Sequence, residues 1–110
     1  MISEPIKDAI LDSLKSPMLF CDLGHIIQYM NKSAATHYNQ GCSLIGQSML
    51  DCCNEESQQQ MVDIVSEMKK GLEERLITDN EKYRIYMRAV RDAQGRLPGY
   101  YERYEPPLGS

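Results

Sequence analysis

Apolar positions at the start of the chain recur at intervals of four: Ile2, Ile6, Ile10 and Leu14, with Ala9 and Leu11 beside them. The spacing predicts an amphipathic helix over residues 1–15, with Pro5 tolerated in its first turn and Lys7, Asp8 and Asp12 facing outward. A helix this short is not stable alone in water, so its stripe needs a sheet or a partner chain. Ser16-Pro17 ends it, and the pattern changes. Leu19 and Phe20 form a short apolar strand, Asp22-Leu23-Gly24 a tight turn in which Gly24 accepts positive φ, and Ile26, Ile27, Tyr29 and Met30 a second strand. Asn31 stands where an N-cap belongs, ahead of a helix over 32–38 that stops around 39–41.

Residues 43–50 read as a further short helix or turn with apolar anchors, and 51–54 as a connector. Ser57 opens the strongest helix with a Ser-x-x-Gln capping box. Its buried stripe is Met61, Ile64, Val65, Met68 and Leu72, and Gly71 is its C-cap. Strands are predicted over 75–78, 83–92 and 99–105, joined by turns at 79–82 and 93–96. In the middle one, Tyr83, Ile85, Met87 and Ala89 alternate onto one side. Pro106-Pro107 closes the sheet. The order β-β-α-α-α-β-β-β predicts an α+β domain with an antiparallel sheet over residues 16–106, preceded by the helix and followed by a tail at 107–110.

Composition narrows the function. The 110 residues suit one domain, and 42% hydrophobic with 25% charged is the balance of a globular protein. The net charge of −4, with no basic block, argues against nucleic acid as a partner. No apolar run approaches the roughly 20 residues of a membrane span, and the start lacks a signal peptide's basic and apolar regions. The expected location is therefore the cytoplasm, with Cys21, Cys42, Cys52 and Cys53 reduced. Their spacing matches no zinc pattern, so no metal site is expected. Trp is absent and Phe occurs once, so seven Tyr and seven Met supply much of the large core volume.

Three stretches in order resemble a PAS domain: Leu-Phe-Cys-Asp-Leu-Gly-His-Ile-Ile-Gln-Tyr-Met-Asn-Lys-Ser-Ala, Ser-Leu-Ile-Gly-Gln-Ser-Met-Leu-Asp, and Tyr-Met-Arg-Ala-Val-Arg-Asp-Ala-Gln-Gly-Arg-Leu-Pro-Gly-Tyr. The last is similar to a subgroup ending in an Arg-Asp-x-x-Gly hairpin. That subgroup carries a Cys-His pair where this chain has Cys52-Cys53. The resemblance implies a five-stranded antiparallel sheet flanked by short helices and one longer helix, with a cavity between the sheet and the long helix. It also implies sensing of a small molecule, light or redox state, and dimerisation through the N-terminal helix and the outer sheet face.

The inward apolar set, Ile27, Tyr29, Met61, Val65, Met68, Ile85 and Met87, is the candidate ligand pocket. Ile2, Ile6, Ile10 and Leu14 are the candidate homodimer interface. Cys52-Cys53 is a weaker candidate for redox chemistry, since a thiolate is favoured near a helix N-terminus. The cofactor is unknown. Gly46 is followed by Gln-Ser-Met-Leu without the cysteine of adduct-forming flavin domains, and residues 57–72 hold no His for heme. The four cysteines lack iron–sulfur spacing. His25, just after the turn, is expected in solvent and His37 at the core edge, hydrogen-bonded. The carboxylates are expected on turns and helix faces, and no catalytic motif is present. The chain thus reads as a sensory and interaction module without catalysis, with a ligand-free docking module as the alternative and a thiol redox sensor behind it. A signalling partner protein would carry the downstream event.

Overall fold

In the computed structural model, residues 4–38 and 44–108 are described, except for the side chain of Cys52. Ile2, Cys42, the predicted helix stop at 39–41 and the end of the tail lie outside them. Helix α1 (Glu4–Asp12) leads into strands β1 (Met18–Asp22) and β2 (Ile27–Met30), then helix α2 (Lys32–His37). A 3-10 helix (Met49–Cys52) precedes helix α3 (Glu55–Lys69), and strands β3 (Glu74–Asp79), β4 (Arg84–Val90) and β5 (Gly99–Glu105) complete the chain. The five strands form one antiparallel sheet in the order β2-β1-β5-β4-β3. This is the α+β architecture that the order of elements and the resemblance imply.

Two asparagines set the helices. Asn31 Oδ1 accepts from the Ala34 backbone N–H at 2.8 Å, capping α2, and from the Met18 N–H at 3.0 Å. Its Nδ2 donates to the carbonyls of Leu11 and Ser16, both at 3.1 Å. One buried side chain thus ties the end of α1, the start of β1 and the start of α2. Asn54 caps α3 by accepting from the Ser57 N–H at 2.8 Å. The cap of the long helix therefore lies three residues ahead of Ser57, the cap that the Ser-x-x-Gln box predicts, and the helix itself starts at Glu55. At the other end Gly71, at φ 120°, lets the Gly71 and Leu72 N–H groups turn back onto the Met68 and Glu67 carbonyls.

Met61, Ile64, Val65 and Met68 of α3 are buried with Leu19, Cys21, Ile27, Met30, Met87, Ala89 and Tyr100 of the sheet. Each such side chain fully withdrawn from water is worth roughly 1.5–3 kcal/mol, which is why the stripe fixes the helix's rotation. In β5 the inward residues are Tyr100, Glu102 and Tyr104, all buried.

Two local expectations are corrected. The positive φ after β1 falls on His25, at 65°, and not on Gly24, because Asp22 Oδ1 binds the N–H groups of Gly24 and Ile26 and so shapes the turn around His25. The pairing of β1 with β2 runs Phe20↔Tyr29 and then Cys21↔Ile27, leaving Gln28 as a bulge. The extra residue flips the alternation, so Tyr29 lies beside Phe20 on the outer face while Ile27 and Met30 point inward with Cys21 and Leu19. Tyr29 therefore leaves the candidate pocket, and its hydroxyl donates to Asp12 Oδ1 at 3.3 Å.

Candidate functional site

A cavity of about 200 Å³ lies between the first turns of α3 and the sheet. Met49 from the 3-10 helix, Met61 from α3, Ile77 from β3 and Ile85 from β4 form its apolar wall. Ser57, Gln60 and Thr78 add neutral polar groups, and Cys53 and Glu102 complete the lining. Glu102 is 4% exposed. Burial pushes its carboxyl up from 4.5 to about 7, and no other charged group contributes to the shift. Its cross-strand neighbours are Leu19 on β1 and Met87 on β4, both buried apolar residues. The expectation that carboxylates sit on turns and helix faces fails here, because strand register places position 102 on the inner face.

The outer face of the same sheet treats its charges differently. Glu74 accepts from Arg103 at 2.6 Å and from Arg88 at 3.5 Å, and Arg103 lies 4.5 Å from the centroid of the Tyr86 ring. The two arginines hold the Glu74 carboxyl below its ordinary range, Arg103's hydrogen bond acting most strongly.

Two wider depressions exist, and neither encloses a ligand between helix and sheet. One of about 820 Å³ runs along the solvent side of α3 beside Gln59, Asp63 and Glu67, open to water. Another of about 280 Å³ sits where Leu14 and Pro17 meet Tyr101 and Arg103 on the outer face. The cavity beneath α3 is smaller, and the buried Met49, Met61, Ile85 and Glu102 form part of its wall.

Of the candidate pocket residues, Met61 and Ile85 line this cavity. Ile27, Val65, Met68 and Met87 lie in the closed core, and Tyr29 is on the other face. Sequence reasoning missed Glu102, Met49, Ile77 and Thr78. Cys53 Sγ donates toward the Met49 carbonyl at 3.6 Å and lies 3.9 Å from Met61 Sδ.

His25, expected in solvent, is instead 6% exposed, its Nδ1 2.8 Å from the Tyr100 hydroxyl. Tyr100 pairs with Cys21 at the end of β1, which brings its hydroxyl to the turn that carries His25. Burial lowers the His25 pKa and pushes the Cys21 thiol up to about 12. His37 is exposed rather than at the core edge, its ring set 4.9 Å from that of Tyr104.

Ile6, Ile10 and Leu14 are 52%, 50% and 43% exposed, and α1 buries none of its residues within the chain. Among the described residues, no helix is long and apolar enough to cross a membrane, and no three His, Cys, Asp or Glu side chains group as a metal site.

A helix laid across the inner face of a five-stranded antiparallel sheet, with a small cavity between them, is the architecture of a known class of α+β domain. The PAS domain family profile matches residues 8–105. The chain belongs to the PAS domain family, and with it to the sensory modules of signal transduction. A comparison with curated proteins gives no match. Among solved structures, a C-terminal domain from Streptococcus mutans superposes with a TM-score of 0.78 at 19% identity, covering 96% of this chain and 85% of that one. The Aer2 receptor of Vibrio cholerae, a dual PAS-heme oxygen sensor, gives 0.61 at 16% identity, over 82% of this chain and 92% of that one. VqmA bound to DPO gives 0.67 at 16% identity over 96% of this chain, which spans 58% of that protein. At these identities the likeness is one of fold. Among the described residues, the cavity lining holds no imidazole, so these residues do not fit a His-ligated heme.

Proposed function

We propose that this domain is a sensor that holds a small molecule in the cavity between α3 and the sheet and relays its presence through dimer or partner contacts. The observation that carries the reading is a cavity of about 200 Å³ under α3, partly open to solvent, with a buried carboxyl in its wall. Interiors are normally close-packed, and an unfilled apolar hollow with a few polar groups in its wall has the form of a ligand site, here of a size for a very small molecule. A ligand that favours one arrangement of α3 against the sheet shifts the population of states, and the sheet carries the change to its outer face and α1. Catalysis is no part of this reading. The unpaired buried Cys21 suits a reducing compartment such as the cytoplasm.

The test is native mass spectrometry of freshly purified protein beside its denatured mass. Excess mass that is lost when residue 61 is enlarged (Met61→Trp) supports the reading. A native mass equal to the chain's own, with xenon or small aromatics failing to enter the cavity, overturns it.

A second reading rests on α1: the exposed stripe of Ile6, Ile10 and Leu14 suits a docking surface with no ligand at all, completed by a second copy of the chain. It predicts a dimer that no additive alters. A thiol sensor at Cys52-Cys53 stands behind both. Its mark is a mass shift under mild oxidant that is abolished in Cys53→Ser.

A further inference from the structure

The carboxyl of Glu102 opens on the cavity from the middle strand of the sheet, with Leu19 and Met87 beside it in the neighbouring strands. No hydrogen-bond donor among the described residues reaches it. The ionisable groups facing it are the phenols of Tyr100 and Tyr104 on its own strand, the thiol of Cys21 on β1 and the thiol of Cys53 ahead of α3. Burial holds Cys21 and Tyr104 up at about 12 and Tyr100 higher still, so these groups bring no positive charge. The stretch of α3 that lines the cavity contributes Ser57, Gln60 and Met61, β3 contributes Ile77 and Thr78, and β4 contributes Ile85. His25 is engaged with Tyr100. Among the described residues, two arginines serve Glu74 on the outer face and no cation serves Glu102 on the inner one.

A buried carboxylate without a donor is strongly disfavoured, and a cation is the partner that relieves it most. We propose that the cavity takes a small organic monocation, a single ring or short chain bearing a protonated amine or amidine, whose N–H groups bond Glu102 while its body lies against Met49, Met61, Ile77 and Ile85. This rests on the sensor reading above and names the chemistry of its ligand. The volume suits one ring, since a cavity of roughly 150 Å³ accepts benzene. Ser57, Gln60 and Thr78 offer neutral hydrogen-bonding groups to the rest of such a ligand.

Binding is then linked to pH. Bound, Glu102 is ionised; free, it titrates near 7. Below that pH, binding must expel a proton, so affinity rises with pH up to about 7 and levels off above it.

The experiment is a two-dimensional amide NMR titration with three probes of one shape: benzylamine, benzyl alcohol and benzoate. At pH 8 benzylamine is expected to shift the amides of Met61, Ile85 and Glu102 at a concentration about tenfold below that needed with benzyl alcohol, the gain of a charge-assisted hydrogen bond. The advantage shrinks by about tenfold at pH 6 and disappears in Glu102→Gln, whose own spectrum reports that it is folded. In the unaltered protein, the Glu102 carboxyl carbon titrates near pH 7 alone and lower when saturated with benzylamine. Equal binding of amine and alcohol at these residues, or an amine advantage that survives Glu102→Gln, overturns the cationic ligand and leaves the small-molecule cavity standing. Tightest binding by benzoate overturns it as well. Shifts from none of the three overturn the cavity reading together with it.

Discussion

Glu102 and Glu74 are carboxylates of one sheet with opposite surroundings. Glu74 has Arg103 and Arg88, and Glu102 has Leu19 and Met87. Burial raises the Glu102 carboxyl from 4.5 to about 7. The sign follows: the folded state binds the proton more tightly than the unfolded one, so this group's contribution is fully present below about 4.5 and is lost as pH rises to about 7. Glu102→Gln is therefore expected to match the parent in stability at pH 4.5 and to exceed it at pH 8 by about 2–3 kcal/mol in urea unfolding. A constant difference across that range would refute the burial argument. His25 acts in the opposite sense, because a buried neutral imidazole costs stability as pH falls through its unfolded value of 6.5. It is present in both proteins and cancels in the comparison. The position of Glu102 was legible in principle. In the stretch 99–105 one parity carries Tyr100, Glu102 and Tyr104 and the other Tyr101, Arg103 and Glu105, and the parity with one charge is the one to bury. The burial of His25 was not legible, since it depends on Tyr100, 75 residues away in sequence.

Elements hold together through a few positions where chain segments meet. Asn31 joins α1, β1 and α2 through four hydrogen bonds from one buried amide. Asn31→Ala removes them all and leaves backbone groups unpaired, so a loss of about 2–4 kcal/mol is expected in thermal or urea unfolding. An effect below about 1 kcal/mol would mean that water replaces the amide. Gly99 marks the crossing of β5 with β1, where an added Cβ would collide with the Cys21 carbonyl oxygen and the Phe20 ring. Gly99→Ala is expected to destabilise by about 2 kcal/mol or more, with its largest amide shifts at Phe20 to Asp22. The sequence announces Asn31 as a cap, since an Asn precedes a helix-forming run. The role of Gly99 requires the neighbouring strand.

At the scale of the whole molecule, the inner face is closed by α3 while the stripe on α1 stays open to solvent. Among the described residues, Ile6 and Ile10 keep half or more of their surface in solvent. If a second copy covers them, Ile6→Asp with Ile10→Asp shifts the dimer to monomer in analytical ultracentrifugation while leaving the fold's circular dichroism unchanged. A dimer that persists in the double variant would assign self-association to the outer sheet face, where Tyr86, Tyr101 and Arg103 lie.

The sequence by itself determined the order and kind of the elements, the α+β class, the PAS family, the N-cap at Asn31 and the buried stripe of α3. These are local properties: periods of 3.6 and 2 and turn-forming residues are written within a dozen positions of one another. The tertiary structure decided the bulge at Gln28 that sends Tyr29 outward, the capping of α3 by Asn54, the burial of His25 and the cavity wall that joins Met49, Met61, Ile77, Ile85 and Glu102. Each depends on which strand pairs with which and on how side-chain volumes from distant segments meet. Pairing register and unfilled volume are properties of the assembled fold, and no stretch of the chain holds them alone.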